Sequence, residues 1–182
     1  MTTATAALKQ DHRNIEQLLQ LLDRAVRRLE QGEDVSPDFF RKAMVFITTF
    51  ADACHHIREE DILFPALEQH GIPRRGGPVG VMLLEHEEGR NFVRGLREAA
   101  EKYAAGDKGA VPQIVQNAKG YSALLGNHIY KEDNILYVMA DRVLDASAQE
   151  ALLKTMQETE DRKLGPGKRE EMLALLEELG KT

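Results

Sequence analysis

The sequence predicts an all-α protein, an up-down-up-down four-helix bundle followed by two short C-terminal helices. Apolar residues recur with a helical period along most of the chain, and no stretch alternates as a strand does. Glycine and proline interrupt this pattern at intervals that leave four long helices joined by short turns. Of the 182 residues, 42% are apolar and 30% are charged, which suits amphipathic helices around one core.

The first two helices are marked by clear boundary signals. The first is predicted over 5–30 and is followed by a glycine. The second is predicted over 36–70, with Ser36 as the N-cap and Pro37 at the first helical position. Because Pro65 lies inside this second helix, we expect a kink or break just before it.

The third and fourth helices complete the predicted bundle. The third begins after a Gly-Gly-Pro turn and is predicted over 78–106. The fourth is predicted over 112–144, with Pro112 at its start. The bundle domain is therefore assigned to residues 1–145.

Residues 146–182 are predicted to form a C-terminal helical extension. Ser147 and Glu150 have the spacing of a capping box, which predicts a helix as far as about residue 160. A Gly-Pro-Gly break separates it from a last amphipathic helix at 168–179. We expect this extension to pack on the bundle or on a second copy of the chain, which would give a homodimer through the C-terminal helix.

Two ten-residue segments, 55–64 and 128–137, repeat one pattern. Each starts with His-x-x-x-Glu and ends with Ile-Leu and an aromatic residue. A second pair of histidines repeats in step, since each follows an acidic residue and begins a helical pattern. The lone histidines are 74 positions apart, and the paired motifs are 73 apart. The repeated residues are His12 and His86, His55 and His128, and Glu59 and Glu132.

This repeat predicts a dinuclear metal site in the bundle core. Residues four apart on an α-helix share one face, so each His-x-x-x-Glu pair can reach the same metal region. Imidazole and carboxylate donors suit iron or manganese better than calcium, and the thiolates of a structural zinc site are missing. Without a metal, two carboxylates would be buried close together at a heavy cost. If each carboxylate bridges two metals, one position per metal stays open for a small ligand.

Several neighbouring residues leave alternatives open. His56 also stands four residues before a glutamate, but it aligns with an isoleucine in the repeat, so His55 is favoured as the ligand. Glu16 could be a third carboxylate ligand whose charge is offset by Arg90, or the two could form an ordinary interhelical ion pair. Tyr121 lies two turns before a ligand and either lines the pocket or belongs to the core. The acids after the motif glutamates, at 60 and 133, are expected to support the ligands or face solvent.

Across residues 5–144 the chain resembles the hemerythrin-like (HHE cation-binding) family, including its iron-sulfur repair members. The resemblance implies a non-haem di-iron centre with carboxylate bridges and an oxo or hydroxo bridge. It also implies a function with dioxygen, nitric oxide, peroxide or iron. Oxygen-carrying hemerythrins have a further histidine one turn after the third-helix ligand, where this chain has Arg90, so reversible oxygen carriage is not expected. Manganese or zinc is expected to replace iron in some recombinant samples.

Composition limits the partners and the compartment. A formal net charge of −6 argues against nucleic acid as a general partner. A single cysteine excludes an internal disulfide, and neither a signal peptide nor a membrane span is found in the sequence, so a cytoplasmic protein is expected.

The favoured hypothesis is a di-iron protein that binds or reacts with a small oxidant, either O2, NO or peroxide, in oxidative or nitrosative stress or iron-sulfur repair. The alternative is a passive iron-binding or iron-sensing module without turnover. A helical phosphotransfer domain is disfavoured, because phosphotransfer through one exposed histidine needs no opposed carboxylates. The sequence does not decide between binding and enzymatic turnover.

Overall fold

Every regular element among residues 2–181, the part of the chain that the computed structural model describes, is helical. The all-α prediction is therefore confirmed. The α-helices in chain order are α1 (Ala4–Glu30), α2 (Pro37–Phe46), α3 (Phe64–Gln69), α4 (Pro78–Ala104), α5 (Val111–Lys131), α6 (Tyr137–Val143), α7 (Ala146–Leu164) and α8 (Lys168–Leu179).

Wider π-helical turns link some of these helices into longer rods. Ile47–His56 and Glu59–Leu63 lie between α2 and α3, and Glu132–Leu136 lies between α5 and α6. Of the kink or break expected before Pro65, the break is absent, because the helix widens into a π turn there and continues into α3. A wider turn relieves the clash between the proline ring and the preceding turn. Such π turns occur often at functional sites, and here they coincide with both His-x-x-x-Glu motifs.

The buried apolar residues form two clusters, with a layer of buried polar side chains between them. On α1, for example, Leu8 belongs to one cluster and Ile15 to the other, and His12 lies between them. On α4, Met82 and Val93 flank the buried histidine of that helix in the same way. The helical bundle therefore holds its polar layer between two apolar regions that exclude water.

The C-terminal extension packs on this bundle. Met156 of α7 is buried in one apolar cluster, and Met172 and Leu176 of α8 are buried in the other. The N-cap of α7 is Asp145, whose side chain accepts from the Ala148 amide, so the helix begins slightly earlier than the predicted capping box. No helix in the described residues is long and apolar enough to cross a membrane.

Candidate metal centre

Two groups of buried donor side chains meet in the polar layer. Within each group, one ligand atom per residue lies within 4.8 Å of every other. The structure brings all six predicted ligands together and adds His56 as a seventh donor. The first group is His12, His55, Glu59 and Glu132, and the second is His56, Glu59, His86 and His128.

Four of the imidazoles face each other in pairs across the centre. Nε2 of His12 lies 3.0 Å from Nε2 of His55. Nε2 of His86 likewise lies 3.0 Å from Nε2 of His128. Each pair joins consecutive long helices of the chain, so each half of the sequence repeat supplies one pair.

Glu59 lies between the two histidine pairs. Its Oε2 atom is 3.5 Å from Nε2 of His55 and 3.4 Å from Nε2 of His86. Its other oxygen, Oε1, accepts a hydrogen bond from the Tyr137 hydroxyl. The carboxylate therefore contacts one histidine of each pair, as a ligand that bridges two metals would.

Glu132 occupies the equivalent position from the other half of the repeat. Its Oε2 atom is 3.2 Å from Nε2 of His12 and 3.3 Å from Nε2 of His128. Both oxygens of Glu132, and Oε2 of Glu59, are buried, and their contacts with the imidazoles do not have hydrogen-bond geometry. Buried carboxylate oxygens without hydrogen-bond partners are costly, and metal ions would satisfy them. The donor set therefore fits two metal ions.

The outward-facing nitrogen of each paired imidazole is held by a carboxylate. Such a partner keeps the proton on Nδ1 and points the Nε2 lone pair at the metal position, as is usual for metal-binding histidines. The Nδ1-to-oxygen contacts are His12 with Asp133 at 2.7 Å, His55 with Asp11 at 3.4 Å, His86 with Glu60 at 2.7 Å and His128 with Glu85 at 2.9 Å.

The sequence contained a signal for these four acids. Asp11 and Glu85 directly precede the lone histidines, and Glu60 and Asp133 directly follow the motif glutamates. The supporting role considered for Glu60 and Asp133 matches their contacts. The role of Asp11 and Glu85 was missed, because each holds the histidine of the neighbouring helix rather than the histidine beside it in the sequence.

Each of these carboxylates is in turn paired with a cation. This second contact fixes the carboxylate and offsets its charge within the polar layer. The pairs are Asp133 with Arg13, Asp11 with Arg58 and Arg169, Glu60 with Arg90, and Glu85 with Lys131.

Two histidines are protonated near neutral pH in the metal-free protein. Burial disfavours their charged forms, but nearby carboxylates outweigh it. Asp133 and Glu132 raise the pKa of His12 to about 9. Glu132 and Glu85 raise the pKa of His128 to about 10. A metal ion would therefore have to displace protons from both rings.

The remaining donors divide between neutral and charged forms. Burial lowers the pKa of His55 to about 4, so this ring is neutral. Burial and the nearby charge of Glu132 raise the pKa of Glu59 well above its usual value. The His128 and His12 cations outweigh burial at Glu132 and hold its pKa well below its usual value. The pKa values of the two motif glutamates are thus shifted in opposite directions.

His56 lies in the second donor group, whereas His55 lies in the first. Its ring stacks on His86 with centroids 3.9 Å apart, and its Nδ1 is 3.2 Å from Asp52. The repeat alignment presented His55 and His56 as alternatives. The structure places both imidazoles among the grouped donors, one in each group together with Glu59.

Glu16 and Arg90 do not meet each other. Glu16 is partly exposed and pairs with Arg13 on its own helix at 3.1 Å, outside both donor groups. Arg90 instead pairs with Asp52 at 2.8 Å and with Glu60 at 2.7 Å. Neither the third-carboxylate hypothesis nor the interhelical Glu16–Arg90 pair therefore matches the structure. Glu16 and Arg90 each stand four residues after a ligand histidine, which predicted that they share its helical face. This spacing does not predict how each helix is rotated about its own axis.

A cavity of about 220 Å³ lies beside the second donor group. Its walls include His56, His86, Arg90 and Gly89. Tyr121 both lines this cavity and packs in the larger apolar cluster, so the two alternatives for Tyr121 both hold. The cavity can hold a ligand of a few atoms next to the histidines.

Comparison with known families agrees with this geometry. The model of the hemerythrin HHE cation binding domain matches residues 3–140. The chain belongs to the hemerythrin HHE family. The resemblance inferred from the repeated histidine and glutamate positions is thereby confirmed, and all six predicted ligands fall inside the matched region.

Curated relatives of this hemerythrin-like chain share 26–35% sequence identity with it. Uncharacterized protein Rv1995 of Mycobacterium tuberculosis (strain H37Rv) and Mb2018 of Mycobacterium bovis are each 26% identical over 90% of this chain and 63% of their own length. The iron-sulfur cluster repair protein DnrN of Neisseria gonorrhoeae is 35% identical over 50% of this chain and 58% of its own. The chain thus spans somewhat less than two thirds of these relatives. No solved structure is matched.

Proposed function

We propose that this hemerythrin-like chain holds a carboxylate-bridged di-iron centre in an up-down-up-down four-helix bundle, and that the centre reacts with a small oxidant. The candidate oxidants are O2, NO and peroxide. The observation that supports this proposal is the position of Glu59 and Glu132, each of which contacts one histidine from each of the two pairs. Three of the four oxygens of these carboxylates are buried without a hydrogen-bond partner. Two iron ions would supply electrons and open coordination positions for such a ligand.

The donor set favours iron over a closed structural zinc site. The first group offers two imidazoles, His12 and His55, and two carboxylates, without any thiolate. Cys54, the only cysteine in the chain, belongs to neither donor group. Mixed nitrogen and oxygen donors with bridging carboxylates suit iron or manganese.

The protein's own residues would bind, orient and shield the reactants. The Nδ1 carboxylates hold each imidazole in one orientation. The two apolar clusters on either side exclude bulk water from the polar layer. The cavity beside His56 and His86 offers an approach for a small ligand, and the Arg90 cation on its wall favours anionic oxidised products.

A role in nitrosative or oxidative stress or in iron-sulfur repair is the physiological setting that we propose. It is supported by the DnrN relative, whose name assigns iron-sulfur cluster repair to that protein. The alternative is an iron-binding or iron-sensing module without turnover. It is favoured by the complete burial of both motif glutamates, which limits the access of anything larger than a few atoms.

Rapid mixing of reduced, iron-loaded protein with O2, peroxide and NO distinguishes these functions. We expect optical changes within the mixing experiment for at least one oxidant and repeated consumption of peroxide or NO when a reductant is supplied. Iron that stays bound but gives no spectral response to all three would favour the passive module. O2 that is taken up and then released unchanged under vacuum would instead indicate an oxygen carrier.

A further inference from the structure

The C-terminal helix α8 reaches the metal centre although it lies outside the matched residues 3–140. Nη1 of Arg169 donates to Oδ1 of Asp11 at 2.5 Å, and Nη2 lies 3.4 Å from Oδ2. That same Oδ2 lies 3.4 Å from Nδ1 of His55. One carboxylate therefore links the extension to an imidazole of the first donor group.

Contacts on several sides fix the position of the Arg169 guanidinium. Nε and Nη2 donate to the two oxygens of Glu160 on α7, at 2.8 and 2.6 Å. The guanidinium also lies over the ring of Phe50, 5.2 Å from its centroid. A bidentate carboxylate and an aromatic face together restrict an arginine strongly. The extension therefore presents this charge to Asp11 in one orientation.

Asp11 differs from the other three carboxylates that hold the paired histidines. Each of those receives one cation from the bundle, whereas Asp11 receives Arg58 at 2.6 Å and Arg169 from the extension. Its contact with His55 is also longer than the other three Nδ1 contacts. The orientation of this carboxylate, which decides whether it reaches the ring, therefore depends on two arginines.

We propose that Arg169 is a positioning residue of the metal centre. It orients Asp11, which holds the His55 imidazole with Nε2 directed at the first donor group. The C-terminal extension is thus part of the metal site and not only a cover for the bundle. This inference rests on the proposed di-iron function for its metal readout, while its effect on the His55 ring does not need a metal.

Three variants separate positioning from packing. Arg169→Met removes the guanidinium and keeps an unbranched chain, and Arg169→Lys keeps the charge without the planar fork. Lys163→Met is the matched control, because Lys163 also joins the extension to the bundle, through a 2.7 Å ion pair with Asp61 that touches no histidine. Unfolding curves first establish that each variant folds. If Arg169→Met does not fold, Glu160→Gln takes its place, because it removes the carboxylate that fixes the Arg169 guanidinium.

Two readouts are then compared. In metal-free protein labelled with ¹⁵N-histidine, the ring resonances of His55 should shift in Arg169→Met and move back in Arg169→Lys. In iron-loaded protein, a chelator should remove one of the two irons about tenfold faster from Arg169→Met, the scale usual for loss of a ligand's supporting partner. Lys163→Met should match the unaltered chain in both measurements.

The inference would be overturned if Arg169→Met gave the same His55 resonances and the same rate of iron release as Lys163→Met. Equal acceleration of both irons, with unchanged His55 resonances, would also overturn it and assign Arg169 a structural role only. If the unaltered chain bound no iron, the di-iron proposal would fail. The His55 resonances of the metal-free variants would still decide the role of Arg169.

Discussion

Tyr137 donates a hydrogen bond to Glu59, whereas Phe64, its counterpart in the sequence repeat, has no hydroxyl group. Otherwise the two rings make the same kind of contact, since each stacks on a histidine. Tyr137 stacks on His12 with centroids 5.5 Å apart, and Phe64 stacks on His86 with centroids 5.9 Å apart. Each half of the centre therefore packs one aromatic ring against a histidine, and of these two rings only Tyr137 adds a hydrogen bond to Glu59.

Tyr137→Phe should lower the unfolding free energy of the metal-free protein by about 1–3 kcal/mol, because a buried Glu59 oxygen loses its donor. Urea unfolding measures this change. Tyr121→Phe is the matched control, since Tyr121 is also buried but lines the cavity, and it is the Tyr137 hydroxyl that donates to Glu59. Equal effects of the two substitutions would show that the Tyr137–Glu59 bond contributes nothing.

His55→Ala should cost the protein at least one metal ion, whereas His56→Ala should keep both. Without His55, the first donor group retains a single imidazole, His12. Without His56, the second group still has His86 and His128. Elemental analysis of each variant after iron loading tests this expectation. The reverse pattern would show that the repeat alignment is misleading at this position.

Glu132→Gln should destabilise the metal-free protein far more than Glu59→Gln at pH 7. Glu132 is the ionised partner of two buried imidazolium groups, and removing one member of a buried pair costs about 3–5 kcal/mol. Because burial and the charge of Glu132 raise the pKa of Glu59 well above its usual value, Glu59→Gln removes less charge from the buried layer than Glu132→Gln does.

Thermal unfolding of the two apo variants checks this asymmetry. At this chain length the cost corresponds to a fall in unfolding temperature of roughly 6–20 °C for Glu132→Gln. Both variants should bind iron less well, since both remove a bridging carboxylate. If Glu59→Gln proves the more destabilising of the two, the opposite directions of the two pKa shifts are wrong.

Iron loading at pH 7 should release about two protons per chain or more. The pKa values of His12 and His128 are raised to about 9 and 10, so both rings are protonated at pH 7 and must lose a proton to bind metal. Glu59, whose pKa is also raised, would add to this release. The release should fall as pH rises through 9 and 10, because the two rings then deprotonate before the metal arrives.

Calorimetry of iron binding in buffers of different ionisation enthalpy counts these protons. Addition of an ion that finds no site, such as calcium, provides the blank for the titration. Release that stays constant between pH 7 and 10 would contradict protonated His12 and His128.

The helices and the ligand cluster were predictable because periodicity and register are local properties of the sequence. The last helix was predicted with its observed bounds, 168–179, since Gly165 and Gly167 precede it with left-handed backbone angles that favour glycine. The four-residue spacing of His-x-x-x-Glu is by itself enough to place His55 and Glu59 on one helical face.

Contacts between helices were less predictable, because they depend on how each helix is rotated about its axis. Arg90 was expected opposite Glu16, yet it reaches Asp52 and Glu60 on a different helix. The contribution of Arg169 was also missed, since no sequence pattern relates α8 to a residue 158 positions earlier. Widening of the helices by π turns further changes which faces meet.

The iron content of protein loaded without oxygen and freed of excess metal tests the central claim most directly. The account predicts two iron ions per chain, and Mössbauer spectra of ⁵⁷Fe-loaded protein should show that all of this iron is bound in the shared centre. The His55→Ala variant, which should bind less iron, is measured alongside as the reference. One tightly held zinc ion per chain, with no capacity for iron, would contradict the account.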